Sequence, residues 1–109
     1  MIIRWSYKAQ KQQDAAADYI FKEFGALALR EFYEEIDKIE ADLVEFPELG
    51  KIEPLLKHRK KVYRSIVLTK KNKLIYTFDE DTICVHALRF TASVPKCMHA
   101  DNILINCVN

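Results

Sequence analysis

The chain has only two glycines and three prolines in 109 residues, so it holds no glycine-rich loop of the kind that cradles phosphates. Its three cysteines, Cys84, Cys97 and Cys107, are odd in number and follow no metal-binding spacing. They are expected to be reduced thiols. No apolar run is long enough to span a bilayer, and the opening Met-Ile-Ile-Arg-Trp-Ser lacks the apolar core of a signal peptide. A cytoplasmic protein with no membrane partner is the expectation. Charge of one sign is also missing from a long stretch. Between Glu53 and Asp79 there is no acid, while Lys57, Arg59, Lys60, Lys61, Arg64, Lys70, Lys71 and Lys73 all fall there.

What is present is a balanced whole made of unbalanced parts. Lys and Arg number 17 against 16 Asp and Glu, for a net charge of +1. Yet residues 31–53 are crowded with acids, from Glu31 to Glu53, against only Lys38 and Lys51. An acidic segment thus precedes a basic one, and the overall charge conceals both. Half the residues are hydrophobic, enough for one folded core and too many for a disordered chain.

Ile2, Ile3 and Trp5 favour a short first strand. Ser6 is placed to cap a helix. Ala9, Ala16, Ile20 and Phe24 then recur on one helical face, widened by Ala17 and Tyr19, and Gly25 supplies the stop through a left-handed cap. A second helix is expected over residues 26–45, with Leu29, Phe32, Tyr33, Ile36, Ile39 and Leu43 as its apolar stripe and the acids opposite. Pro47 ends it, and Gly50 and Pro54 punctuate the connection that follows. Three apolar runs come next, 63–68, 74–78 and 83–88, separated by polar turns. They predict an antiparallel three-stranded meander. The fold class is therefore α+β: an N-terminal strand, then an antiparallel helical hairpin packed on a small antiparallel sheet. Leu74, Tyr76 and Phe78 are expected to face the helices, leaving Lys73 on the opposite, open face with Arg64 beside it. Residues 91–109 have no clear pattern and are set apart as a C-terminal tail of uncertain structure.

The cations are the chain's clearest candidate functional groups. His58-Arg59-Lys60-Lys61 next to a basic hairpin marks Arg59, Lys60, Lys61, Lys70 and Lys71 as candidate contacts for nucleic acid or another anion. The alternative is a solubilising loop. Cys97, His99 and Cys107 do not have finger or ribbon spacing, and neither metal nor cofactor is expected.

The order of elements resembles the RelE/ParE superfamily of toxins from bacterial type II toxin–antitoxin systems. The resemblance is carried by Ile3-Arg4-Trp5-Ser6 with Ala9, by Glu45-Phe46-Pro47-Glu48-Leu49-Gly50 with Pro54, by Tyr63-Arg64, and by Lys73-Leu74-Ile75-Tyr76 followed by residues 83–88. It spans residues 1–90. It implies a cognate antitoxin as partner and one of two activities. RelE-like members are ribosome-dependent endoribonucleases that cut mRNA; ParE-like members poison DNA gyrase. In this comparison Arg64 matches a basic position of the nuclease strands and Lys73 one that is usually arginine. The resemblance thus implies Arg64 and Lys73 as candidate catalytic cations for a phosphorane-like transition state, with His99 or His86 carrying a proton. The alternative for the two cations is a solvated sheet face. Ile66 stands where some nucleases carry lysine, Ala92 where arginine is expected, and no tyrosine follows. These departures favour a ParE-like or catalytically degenerate toxin. An mRNA endoribonuclease and a non-toxic antitoxin-binding module stay open.

Overall fold

The computed structural model describes residues 1–69 and 72–90. In chain order it contains β1 (Ile2–Trp5), α1 (Tyr7–Phe24), α2 (Ala26–Glu45), β2 (Lys51–Ile52), a 3-10 turn (Pro54–Leu56), β3 (Arg64–Thr69), β4 (Asn72–Phe78) and β5 (Thr82–Phe90). Local chemistry sets the helix ends. The Ser6 hydroxyl accepts the Ala9 N–H at 3.0 Å and caps α1. Gly25 both ends α1 and starts α2, at φ 92° and ψ −178°. That is a glycine-only conformation rather than the left-handed cap expected from the sequence, and it lets one residue reverse the chain.

Among the described residues the sheet has five strands, in the order β1-β5-β4-β3-β2. The three meander strands pair antiparallel as expected. The first strand lies at one edge and, unlike the antiparallel sheet expected from the sequence, runs parallel to β5, with Ile3 opposite Ile83 and Trp5 opposite Val85. The sheet is therefore mixed. Among the described residues, no strand pairs with this side of β5 beyond Val85, and the α1 side chain of Gln12 takes the Leu88 N–H at 2.9 Å. Trp5 is tied to α2 by its indole N–H, which donates to Glu40 at 2.6 Å.

The main core lies between the helices and one sheet face. Leu74, Tyr76, Ile83, Val85 and Leu88 meet Ala9, Ala16 and Ala17 of α1 and Phe32, Ile36 and Leu43 of α2. The three alanines allow α1 to approach the sheet closely, while α2 supplies the volume. Phe24 and Tyr33, both assigned to the apolar stripes by periodicity, are 55% and 41% exposed. Phe24 is the last residue of α1, and the Tyr33 ring lies 5.6 Å from that of buried Phe32. Strict alternation would place Val85 and Leu88 on opposite faces. The register shifts so that Ile75 pairs with Ala87 and Tyr76 with Val85, which leaves His86 as a bulged residue. The bulge resets the alternation, and both apolar side chains enter the same core.

Candidate functional site

The second sheet face is not open. Glu53 N–H donates to the Tyr63 carbonyl at 2.8 Å, closing residues 53–63 into a loop. This loop lies as a strap over that face, where Leu56 packs on Ile75 and Ala87 with Tyr63 alongside. Two apolar side chains of the strap thus form a second, smaller core. The sequence signal for it is weak: one Leu and one Tyr flanking a basic run.

Glu53 holds the strap in place. It is 1% exposed. One carboxylate oxygen accepts the Leu55 N–H at 3.1 Å and caps the 3-10 turn. The other lies 2.6 Å from the Lys73 ammonium, and the Ser65 hydroxyl also bonds the group. Burial pushes this carboxyl up. The Lys73 and Leu55 hydrogen bonds, the lysine charge and the Ser65 bond together outweigh it and hold the pKa below the usual carboxylate value. Sequence reasoning passed over Glu53. Its signals were an acid immediately before Pro54, a helix-start pattern, and its position as the last acid before a long acid-free stretch.

Lys73 and Arg64 do not share a face. Lys73 pairs with Val67 and Arg89, whereas Arg64 pairs with Tyr76, a residue of the helix-side core. The expectation that Arg64 would join Lys73 ignored the registration of the hairpin, which fixes facing from partners rather than from alternation within one strand. Lys73 is engaged by Glu53 and its side chain is only 19% exposed. Arg64 donates to the Gly50 carbonyl at 2.9 Å, and its guanidinium lies 5.9 Å from the centre of the Phe78 ring.

Arg64 thereby joins a second anchor, at the turn after α2. The Tyr76 hydroxyl donates to the Pro47 carbonyl at 2.7 Å and accepts the Gly50 N–H at 2.8 Å. Tyr76 is fully buried, and burial leads the causes that hold its phenol above the ordinary value. A Cβ at Gly50 would stand 2.7 Å from the Ser65 carbonyl oxygen and 2.8 Å from the Tyr76 hydroxyl, so only glycine fits.

The strap carries the basic run outward. Lys57, His58, Lys60 and Lys61 are exposed, and Arg59 is half-buried. Next to the strap, a cleft of about 440 Å³ brings together Lys61, Arg64, Thr77, Phe78, Asp79 and Cys84. The Thr77 hydroxyl is 2.8 Å from His86 Nε2, and the His86 ring meets Tyr63 edge-on at 5.2 Å. Burial, then the nearby Lys61 charge, holds His86 below its ordinary pKa, as a neutral imidazole at pH 7. Of the candidates named from sequence, Arg59, Lys60 and Lys61 are on one loop, Arg64 borders the adjacent cleft, and Lys73 is beneath the strap. Lys70, Lys71, His99 and the tail 91–109 are outside the described residues. Among the described residues, no cluster of three or more His, Cys, Asp or Glu could hold a metal, and no helix is long and apolar enough to cross a membrane.

The family described as the ParE toxin of the type II toxin–antitoxin system parDE matches residues 3–92. No curated protein is significantly similar in sequence. Among solved structures, the chromosomal ParDE system of P. aeruginosa contains a chain with a TM-score of 0.67 and 16% identity, over 84% of this chain and 97% of that one. The YoeB dimer of Staphylococcus aureus gives 0.59 and 18%, over 84% and 98%. The YoeB/ParE toxin of Agrobacterium tumefaciens gives 0.58 and 19%, over 84% and 100%. At these identities the structural likeness establishes the fold.

Proposed function

Because this chain belongs to the ParE toxin family of type II toxin–antitoxin systems, with an antitoxin as the partner that membership implies, we propose that it is a ParE-like toxin acting on DNA gyrase. In this reading it has no ribonuclease centre. The inhibitory contact is the basic surface of the strap, Arg59, Lys60 and Lys61, continuing to Arg64 at the cleft.

One observation carries this reading. A nuclease of the related type needs free cations converging on the scissile phosphate. Here Lys73 is neutralised by a buried carboxylate and Arg64 projects to the other side of the sheet. The two cannot bracket one phosphate without dismantling the strap. Lys61 and Arg64 at the cleft, with His86 bonded to its Thr77 wall, are the features that favour the alternative, an mRNA endonuclease.

The test is induced expression of the chain alone in a bacterial host, with transcripts mapped for cleavage and plasmid DNA examined for gyrase-type breaks. DNA breaks without codon-positioned mRNA cuts are expected. Codon-positioned cuts would replace this reading with the nuclease. Normal growth from well-folded protein would leave a non-toxic antitoxin-binding module.

A further inference from the structure

We infer that Glu53 is a positioning residue for the basic strap, acting through Lys73, and that Lys73 is a structural cation rather than a contact for the target. The functional half of this inference rests on the reading that the strap is the toxin's contact surface.

Four observations converge on one point. Glu53 is the best-buried charged group among the described residues at 1% exposure. Its two oxygens serve different elements: one the strap, through the Leu55 N–H, the other β4, through Lys73. Its backbone closes the neck of the loop against Tyr63. Its neighbours Leu56 and Tyr63 cover Ile75 and Ala87 on the face that Lys73 shares. One side chain therefore fixes both the start of the strap and its seat on the sheet. The strap in turn sets where Lys57, Lys60 and Lys61 are displayed. Without the Glu53 carboxylate the strap keeps its backbone bond to Tyr63 and its small second core, but a largely covered lysine charge is left beneath it with no carboxylate partner.

A buried charge that loses its partner is far more costly than a pair removed together. This asymmetry separates a latch from a residue that merely adds stability. In Glu53→Gln the Lys73 ammonium is stranded and reaches water by lifting the strap. Adding Lys73→Met removes the stranded charge and replaces the lysine stem with an apolar chain of similar length. The strap then recloses over Ile75 and Ala87. If Lys73 instead touched the target, the double substitution would remain inactive.

The experiment measures amide hydrogen exchange and growth arrest for wild type, Glu53→Gln and Glu53→Gln/Lys73→Met. In the single variant the amides of Leu55, Leu56 and Arg59 are expected to exchange roughly a hundredfold faster or more. The amides of β4 and β5 should change much less. In the double variant the strap amides should return to within about tenfold of wild type. Growth arrest should weaken in the single variant and recover in the double. Should Glu53→Gln fail to fold, the double variant still decides: a folded, toxic double supports the latch, and a folded, non-toxic double overturns it. Equal strap protection in single variant and wild type, or exchange raised evenly across the whole sheet, would also overturn it. If the wild-type chain causes no growth arrest, the toxin reading fails, while the exchange measurements still decide whether Glu53 latches the strap.

Discussion

Removing a single oxygen atom tests how the turn after α2 is attached to the sheet. In Tyr76→Phe the ring stays in the core, but the Pro47 carbonyl loses its donor and the Gly50 N–H its acceptor. Those bonds are 2.7 and 2.8 Å long, at a residue with no exposed surface. A neutral hydrogen bond contributes about 1 kcal/mol net, and a buried N–H left without a partner costs about 1–3 kcal/mol. Pro47 is only half-buried, so its carbonyl can turn to water, whereas Gly50 is wedged against Ser65 and cannot. The expected loss is about 2–3 kcal/mol. For a domain of this size that lowers the melting temperature by roughly 10–20 °C. Urea and thermal unfolding followed by far-UV circular dichroism measure it. Arg64 holds the carbonyl of the same Gly50, so Arg64→Leu and Tyr76→Phe should combine non-additively. A loss below about 0.5 kcal/mol would refute the argument. It would mean that chain connectivity and side-chain packing, not the phenol, hold the 46–50 turn.

Gly50→Ala should cost about 2–3 kcal/mol by the same unfolding assay, because the added methyl meets a backbone oxygen rather than a side chain that can move. Ser6→Ala removes the cap of α1 and should cost about 1 kcal/mol, with helix content otherwise retained. His86 titrates below its ordinary value in the folded state because of burial, then Lys61. The unfolded chain therefore takes up the proton first as pH falls, and stability should decline from pH 6.5 downward. His86→Gln should flatten that part of a stability–pH profile. Glu53 is also held below the ordinary carboxylate value of 4.5, although burial, its largest single influence, opposes the shift. Its contribution is therefore complete above pH 4.5 and lost as pH falls through the folded-state pKa. The Glu53→Gln/Lys73→Met variant should show a shallower acid limb than wild type.

Much of the scaffold was legible because its signals are local. The Ser6 cap, the glycine at the helix junction, Pro47 and the apolar periodicity gave both helices their bounds. The three meander strands followed from short apolar runs between polar turns. The two-residue β2 was not visible, since a strand that short has no period of its own and exists only because β3 is beside it. The His86 bulge was missed for a related reason. A strand of nearly continuous apolar residues reads the same with or without an extra residue, and only its pairing with β4 reveals the shift.

At the candidate site the sequence determined the inventory: a one-signed run on residues 57–73, an acid at its border, and a hydrophobic pattern sufficient for one α+β domain. Composition and spacing fix such quantities because they are sums and periods along the chain. Which cations are free was decided by the tertiary structure alone. Lys73 and Lys61 look alike in sequence, yet one is paired under the strap and the other is exposed. A charge is neutralised by whatever lies within a few ångströms of it, and for Lys73 that neighbour is twenty residues earlier in the chain. Only the folding of residues 53–63 across the sheet brings the two together.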